Sequence, residues 1–287
     1  MKAKSLAFFK LVQIQQSLPV LLFSTLLGAA STKSDLRLSL VYVLFANLMV
    51  SCFFSILRNL QFAPVDMSDP KNRVKNPIAA GTFSVKASQT MGGVLVILAI
   101  VLYSLAGNEI LITGLGIILI TFILSWRKLG LHRIVLLKTN PQHWLLNSLF
   151  CLLGGLSLQV PPNPELFLAV AFIGTSLIYT TLIDYTRLTY PQKPQRRVTI
   201  GLIASLTIAI LIGITLFILL AILPVWILIL FGLLLAIMLL PKMAEQIRQG
   251  QRLSFEPKIL RTALFRAASL CLLIHFLAPY LFKLFNG

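Results

Sequence analysis

The sequence predicts an all-α protein built into a membrane as a bundle of nine spanning helices. Three observations predict it. Of the 287 residues, 57% are hydrophobic and only 11% are charged. The apolar residues fall in runs of about 20, the length at which a helix crosses a bilayer. The basic residues are confined almost entirely to alternate connections between those runs. A chain of this length with so continuous an apolar sequence forms one bundle rather than several soluble domains.

Taken in order, the predicted spans cover 16–31, 38–60, 86–106, 109–126, 143–160, 165–183, 198–220, 222–240 and 259–285. The seventh and eighth form one long apolar stretch, and Pro224 marks the tight turn between them. Gly154-Gly155 and Gly114-x-Gly116 fall inside spans, where small residues allow close helix packing. Asn47 and Asn147 lie mid-span and are expected to hydrogen-bond a neighbouring helix. The whole chain reads as a single transmembrane unit with a coarse internal repeat. Spans 1–4, at about 16–126, match spans 5–8, at about 143–240, and the ninth stands apart at about 259–285. Because the two halves enter the membrane in the same sense, this is a parallel repeat, unlike the inverted repeats of many transporters.

The net charge is +17. With an internal N-terminus, the N-tail and the connections after spans 2, 4, 6 and 8 hold 22 of the 25 Lys and Arg residues; only Lys33, Arg37 and Lys283 lie elsewhere. Basic residues concentrate on the cytoplasmic side of membrane proteins, so the N-terminus is predicted to be cytoplasmic and the C-terminus external. The expected location is the inner (plasma) membrane of a bacterium. Lys2, Lys4 and Lys10 followed by the apolar stretch from Leu18 to Ala30 also resemble a signal peptide. The region before that stretch is long, however, and the later loops keep the same sides in either case.

Composition excludes several function classes. The positive charge lies between apolar runs and no platform of basic and aromatic residues is present, which argues against nucleic acid. Cys52, Cys151 and Cys271 each sit inside an apolar run without Cys-x-x-Cys spacing, so they read as packing residues. His132, His143 and His275 show no ligand spacing, and His275 is expected to be packed in the last span. Tyr179, Tyr185, Trp126 and Trp144 suit the interfacial aromatic belt.

The chemistry-bearing residues are the aspartates. The chain has four, and three of them, Asp66, Asp69 and Asp184, follow spans 2 and 6 on the predicted cytoplasmic face. Two such loops facing one cavity would make a divalent-cation site. The first loop reads Asp66-Met67-Ser68-Asp69, then, after seven residues, Pro77-Ile78-Ala79-Ala80-Gly81. Here the chain resembles the UbiA-type intramembrane polyprenyltransferases, whose first motif is Asn-Asp-x-x-Asp-x-x-x-Asp followed at this distance by Pro-Ile/Leu-x-x-Gly. With Asp69 as the closing motif aspartate, Val65 and Phe62 stand where the other two belong, and Gln61 stands for the leading Asn. Asn59 is nearby but out of register. The second motif, Asp-x-x-x-Asp, begins at Asp184, with Leu188 at its closing position, and Arg196-Arg197-Val198-Thr199 resembles the basic-Thr segment that follows.

The resemblance implies transfer of a polyprenyl group from a prenyl diphosphate to a lipophilic or aromatic acceptor in the membrane. Asp66, Asp69 and Asp184 would then hold Mg2+, and Arg73, Lys75, Arg127, Lys128, Arg196 and Arg197 would neutralise the diphosphate. Magnesium takes hard oxygen ligands, often one or two carboxylates completed by substrate phosphates, and Arg forks fit phosphate oxygens. Three aspartates ligate one ion better than two. The same residues read more plainly as solvated carboxylates and topology-setting cations. A non-catalytic descendant that binds isoprenoid lipid or assists a partner enzyme, and a transporter, are the alternative functions. A phosphatidyl-alcohol transferase lacks its Asp-Gly-Ala-Arg signature here.

Overall fold

The computed structural model describes residues 2–125, 141–158, 161–189, 224–249 and 257–286. Among the described residues there is no strand, and ten helices follow in order: α1 (Lys2–Val12), α2 (Ile14–Ser31), α3 (Leu38–Asp66), α4 (Pro70–Arg73), α5 (Val85–Ala106), α6 (Asn108–Ser125), α7 (Pro141–Leu156), α8 (Pro164–Thr189), α9 (Val225–Arg248) and α10 (Pro257–Asn286). Eight of the nine predicted spans coincide with α2, α3 and α5–α10; the seventh, 198–220, lies outside the described residues. Helices are expected, because in hydrocarbon each backbone polar group must be satisfied within its own segment.

Leu38–Asp66, Val85–Ala106, Val225–Arg248 and Arg261–Tyr280 are long and apolar enough to cross a membrane, and four shorter apolar helices accompany them. Exposed Ile97, Leu105, Ile112, Leu119, Ile229 and Ile237 form the outer surface of these helices. Such an apolar exterior needs lipid as its solvent, and the chain is an integral membrane protein.

Three helices run past their expected ends, α9 by eight residues to Arg248. α3 and α8 each run six residues beyond the apolar stretch that predicted them. Asp66 is therefore the last residue of α3, and Asp184 sits inside α8 rather than in a loop. Hydropathy marks where hydrocarbon ends. The helix continues until a residue stops it, and after Asp184 no proline occurs before Pro191. A helix not anticipated, α1, precedes the first span. Leu11 and Val12 are buried against Ile56 and Ala63 of α3, and Gln13, in the left-handed conformation (φ 49°), separates α1 from α2.

At the centre of the bundle, α2 packs on α3, α7, α8 and α10. It crosses α7 at backbone contact. A Cβ on Gly28 would lie 1.8 Å from the Cys151 carbonyl oxygen, and one on Gly154 would lie 2.0 Å from the Thr25 carbonyl oxygen. Only hydrogen fits at either place. The contacts are reciprocal: Thr25 and Gly28 on α2 meet Gly154 and Cys151 on α7. The pattern extends to the helix ends. Ser31 Oγ donates to Gly28 O (2.7 Å) and Ser157 Oγ to Gly154 O (2.6 Å). Ser39, at the start of α3, donates to Ser157 O, and Asn163, which caps α8, donates to Ser31 O. Gly155 and Gly114 pack against Leu166 and Tyr103 as expected for span glycines, whereas Gly116 faces open space.

Among the described residues several polar groups inside the spans pair across helices, whereas Trp144 Nε1 and Ser176 Oγ are buried without a hydrogen-bond partner. Asn47 Nδ2 donates to Thr25 Oγ1 (3.0 Å) and its Oδ1 accepts from Tyr103 OH (2.7 Å), tying α2, α3 and α5. The three cysteines are buried and unbridged. His275 packs in tilted ring contact with Trp226 and Phe276, with ring centroids at 6.0 and 5.6 Å. Trp144, near the start of α7, is partly buried against the α2–α7–α8 core.

Candidate active site

The end of α3 and the loop after it form one hydrogen-bonded unit. Its centre is Asn76, 2% exposed. Asn76 Nδ2 donates to the Asn59 carbonyl (2.9 Å) and to Asp66 Oδ2 (2.8 Å). Asn76 Oδ1 accepts from the backbone N–H groups of Ile78 (3.1 Å) and Ala79 (3.4 Å). Asn59 in turn donates from Nδ2 to Leu11 O (2.8 Å), which docks α1 onto the same unit. Asp69 caps the single turn α4: its carbonyl accepts from Asn72 N and Arg73 N, and its Oδ2 accepts from Asn72 Nδ2 (2.8 Å). Both carboxylates are half-buried, three residues apart, and each receives an amide hydrogen bond that fixes its direction.

The Pro77–Gly81 segment is the floor of this unit. Ile78 and Ala79 are 3% and 4% exposed and pack with Leu11, Ile56 and Ala63. The chain then turns back, with Gly81 N donating to Ile78 O and Thr82 N to Pro77 O. Gly81 has φ +75°, a conformation that costs an L-residue with a Cβ about 1–2 kcal/mol. The segment ends in glycine for that reason.

Beside the acidic turn, α3, α5 and α6 enclose an open groove of about 780 Å³. Gln61, Ser88, Gln89 and Ser125 lie where these helices reach the acidic face, and Phe53, Val96, Ile97 and Phe122 line its remaining wall. It offers an uncharged polar mouth over an apolar slot, the usual form of a site for a lipophilic ligand. Asp66 and Asp69 do not line it. At about 100° per residue, Asp66 projects from α3 about 140° away from Gln61, on the side where Asn59 meets α1.

Phe62 and Val65, at the positions of the missing motif aspartates, are 44% and 48% exposed. Arg58, one turn before Phe62, is also exposed, with its guanidinium carbon 6.0 Å from the Phe62 ring centroid. Among the described residues it has no hydrogen bond and no carboxylate within ion-pair distance; Lys33, in the connection after α2, pairs with Glu165 in the first turn of α8 (3.7 Å), at the opposite end of α3. Arg73 and Lys75 are exposed on the loop. Arg127, Lys128, Arg196 and Arg197, and the Asp184 carboxylate, lie outside the described residues.

Among the described residues no three His, Cys, Asp or Glu side chains gather to cage a metal ion. Asp66 and Asp69 do fit a site of the other kind, in which one or two carboxylates anchor Mg2+ and substrate phosphates complete its coordination. Sequence reasoning found both aspartates and the Pro77–Gly81 spacing. It missed Asn76, whose only signal was its place immediately before Pro77, and it used Arg58 for orientation alone.

No family model matches the sequence, and no curated protein matches it. Solved structures do. A UbiA homologue from Archaeoglobus fulgidus, bound to GPP and Mg2+, superposes with a TM-score of 0.59 over 93% of this chain and 99% of its own, at 18% identity. The fold is of the UbiA type. Digeranylgeranylglyceryl phosphate synthase in membranes shares this UbiA-type fold, with a TM-score of 0.55 over 95% of this chain and 98% of that one, at 14% identity. On the UbiA-type fold seen here, the acidic turn stands at one end of α3, and the Gly28–Gly154 crossing stands near the opposite ends of α2 and α7.

Proposed function

We propose that the protein transfers a prenyl group from a prenyl diphosphate to a lipophilic acceptor within the membrane, with Mg2+. The observation that carries this reading is the acidic turn of Asp66 and Asp69, aimed by Asn72 and Asn76, on a fold shared with a protein bound to GPP and Mg2+. Asp66 and Asp69 at the turn, and Asp184 on α8, would hold Mg2+ together with the substrate phosphates that span between them, and Arg73, Lys75, Arg127, Lys128, Arg196 and Arg197 would offset the diphosphate charge. When bound, the ion makes pyrophosphate a better leaving group. The allylic carbon–oxygen bond breaks with its electron pair leaving on pyrophosphate. An electron pair of the acceptor forms the new bond to that carbon, and the acceptor's proton passes to water or pyrophosphate. The apolar helices keep water from the allylic cation, and the α3–α5–α6 groove, with its uncharged mouth, suits a neutral acceptor head.

The topology belongs to the same reading: nine spans, the N-terminus on the cytoplasmic side of a bacterial inner membrane, and a parallel repeat of spans 1–4 and 5–8. The reciprocal Gly28–Cys151 and Gly154–Thr25 contacts, and the matching Ser39–Ser157 and Asn163–Ser31 bonds, support the repeat. Phe62 and Val65 at motif positions favour the second reading, a non-catalytic isoprenoid-binding relative. Purified protein given geranylgeranyl diphosphate and a panel of quinone-precursor, aromatic and glycerol-lipid acceptors should release pyrophosphate only with Mg2+. Lipid binding with no release across the panel would select the second reading instead.

A further inference from the structure

We propose that Arg58 is a diphosphate-binding residue, gripping the phosphate oxygens directly at a position where the acidic motif has lost its carboxylates. This rests on the reading that the chain binds a prenyl diphosphate. A guanidinium in a membrane-embedded helix is costly and is ordinarily tied to a partner or a function. Among the described residues Arg58 has no such partner: it lies over the exposed Phe62 ring with its N–H donors unused. Asp66, two turns further on, lies within electrostatic reach of it.

Depth adds a second argument. The α2–α7 crossing is in register, with Gly28 and Gly154 each facing the other helix, so Ser31 and Ser157 end their segments at one level. Ser39 and Asn163, bonded to the carbonyls of Ser157 and Ser31, then set the starts of α3 and α8 level with each other. Arg58 is the twenty-first residue of α3, and Asp184 is the twenty-first residue of α8. At 1.5 Å per residue both backbones stand about 30 Å from those starts, the thickness of the hydrocarbon core. Asp66 stands about 12 Å beyond. A prenyl diphosphate with its tail in the hydrocarbon enters at the Arg58 level and extends its phosphates from there toward the acidic turn. Phe62 and Val65 contribute no negative charge there, and among the described residues no carboxylate lies within ion-pair distance of the guanidinium, which meets the anion with its fork open. Arg58 thereby supplies positive charge that a fuller set of aspartates would recruit as metal.

The test is binding of non-hydrolysable geranylgeranyl S-thiolodiphosphate to the full chain in nanodiscs, with Mg2+ and with EDTA, by isothermal titration calorimetry. Wild type should retain weakened binding in EDTA. Arg58→Gln should weaken it about 10- to 100-fold under both conditions, the effect of losing charge-assisted hydrogen bonds, while geranylgeraniol binding stays unchanged. Arg58→Lys, which keeps the charge and loses the fork, should recover part of the loss and serves as the readout if Arg58→Gln does not stay monodisperse. Binding by either variant within twofold of wild type overturns the assignment while leaving prenyl transfer intact. Arg58-dependent binding without pyrophosphate release sustains it and removes the transfer reading. Absence of binding by wild type overturns both.

Discussion

Replacing Asn76 by alanine should loosen the acidic turn without touching a carboxylate. The side chain makes four hydrogen bonds, to Asn59 O, Asp66 Oδ2, Ile78 N and Ala79 N, at 2% exposure. At a net value of about 1 kcal/mol each, and with buried backbone groups left unpaired, the loss is about 3–4 kcal/mol. Asn76→Asp is the sharper variant. It has nearly the same shape, but its ionised carboxylate can donate to neither the Asn59 carbonyl nor Asp66, and it faces two acceptors instead. It should be destabilised at least as much as Asn76→Ala. Stability is read by urea unfolding in mixed micelles, and the aim of Asp66 by the Mg2+ concentration at half-maximal pyrophosphate release, which should rise in both variants. Stability of Asn76→Asp within about 0.5 kcal/mol of wild type, with an unchanged Mg2+ requirement, would refute a hydrogen-bonding role for this side chain.

Asp69→Asn should abolish Mg2+-dependent pyrophosphate release while expression and the unfolding midpoint stay near wild type; an active variant removes the metal assignment. At the helix crossing, Gly28→Ala or Gly154→Ala forces α2 and α7 apart, since a Cβ would lie 1.8 or 2.0 Å from a carbonyl oxygen, and each should cost about 2–3 kcal/mol. The double variant should lose clearly less than the sum, because one separation relieves both clashes; additivity in unfolding measurements would contradict the reciprocal geometry. Gly81→Ala should cost about 1–2 kcal/mol from backbone strain alone, as no atom lies within 4 Å of the added Cβ. Gly81→Asn should cost less, because Asn tolerates the left-handed region; equal losses in the two variants would mean that φ is not the cause.

Hydropathy located eight helices because the requirement it measures, apolar surface across about 30 Å, is written locally in each run. It could not locate the ends of α3 and α8, where helical hydrogen bonding outlasts the apolar stretch and carries Asp66 and Asp184 into the helices. Eleven residues of α1 went unseen because its anchors, Leu11 and Val12, are defined by α3, some 45 residues later. Asn47 was legible as an interhelical hydrogen bonder, but its partners Thr25 and Tyr103 were not, being set by packing between distant segments. The spacing from Asp69 to Pro77 marked the loop. That Asn76 closes back on Asn59, 17 residues upstream, is a tertiary fact with no local signature.

The α2–α7 crossing has a mechanical consequence. Gly28 and Gly154 clamp backbone to backbone near one end of the bundle, while α3 and α8 carry Asp66 and Asp184 toward the other. A clamp at one end of a pair of long rods is a fulcrum. With a lever arm of about 30 Å, a tilt of about 5° between the halves moves the far ends by about 2–3 Å. Such a stroke would widen or narrow the separation between the far ends of α3 and α8 while leaving the glycine contact itself undisturbed.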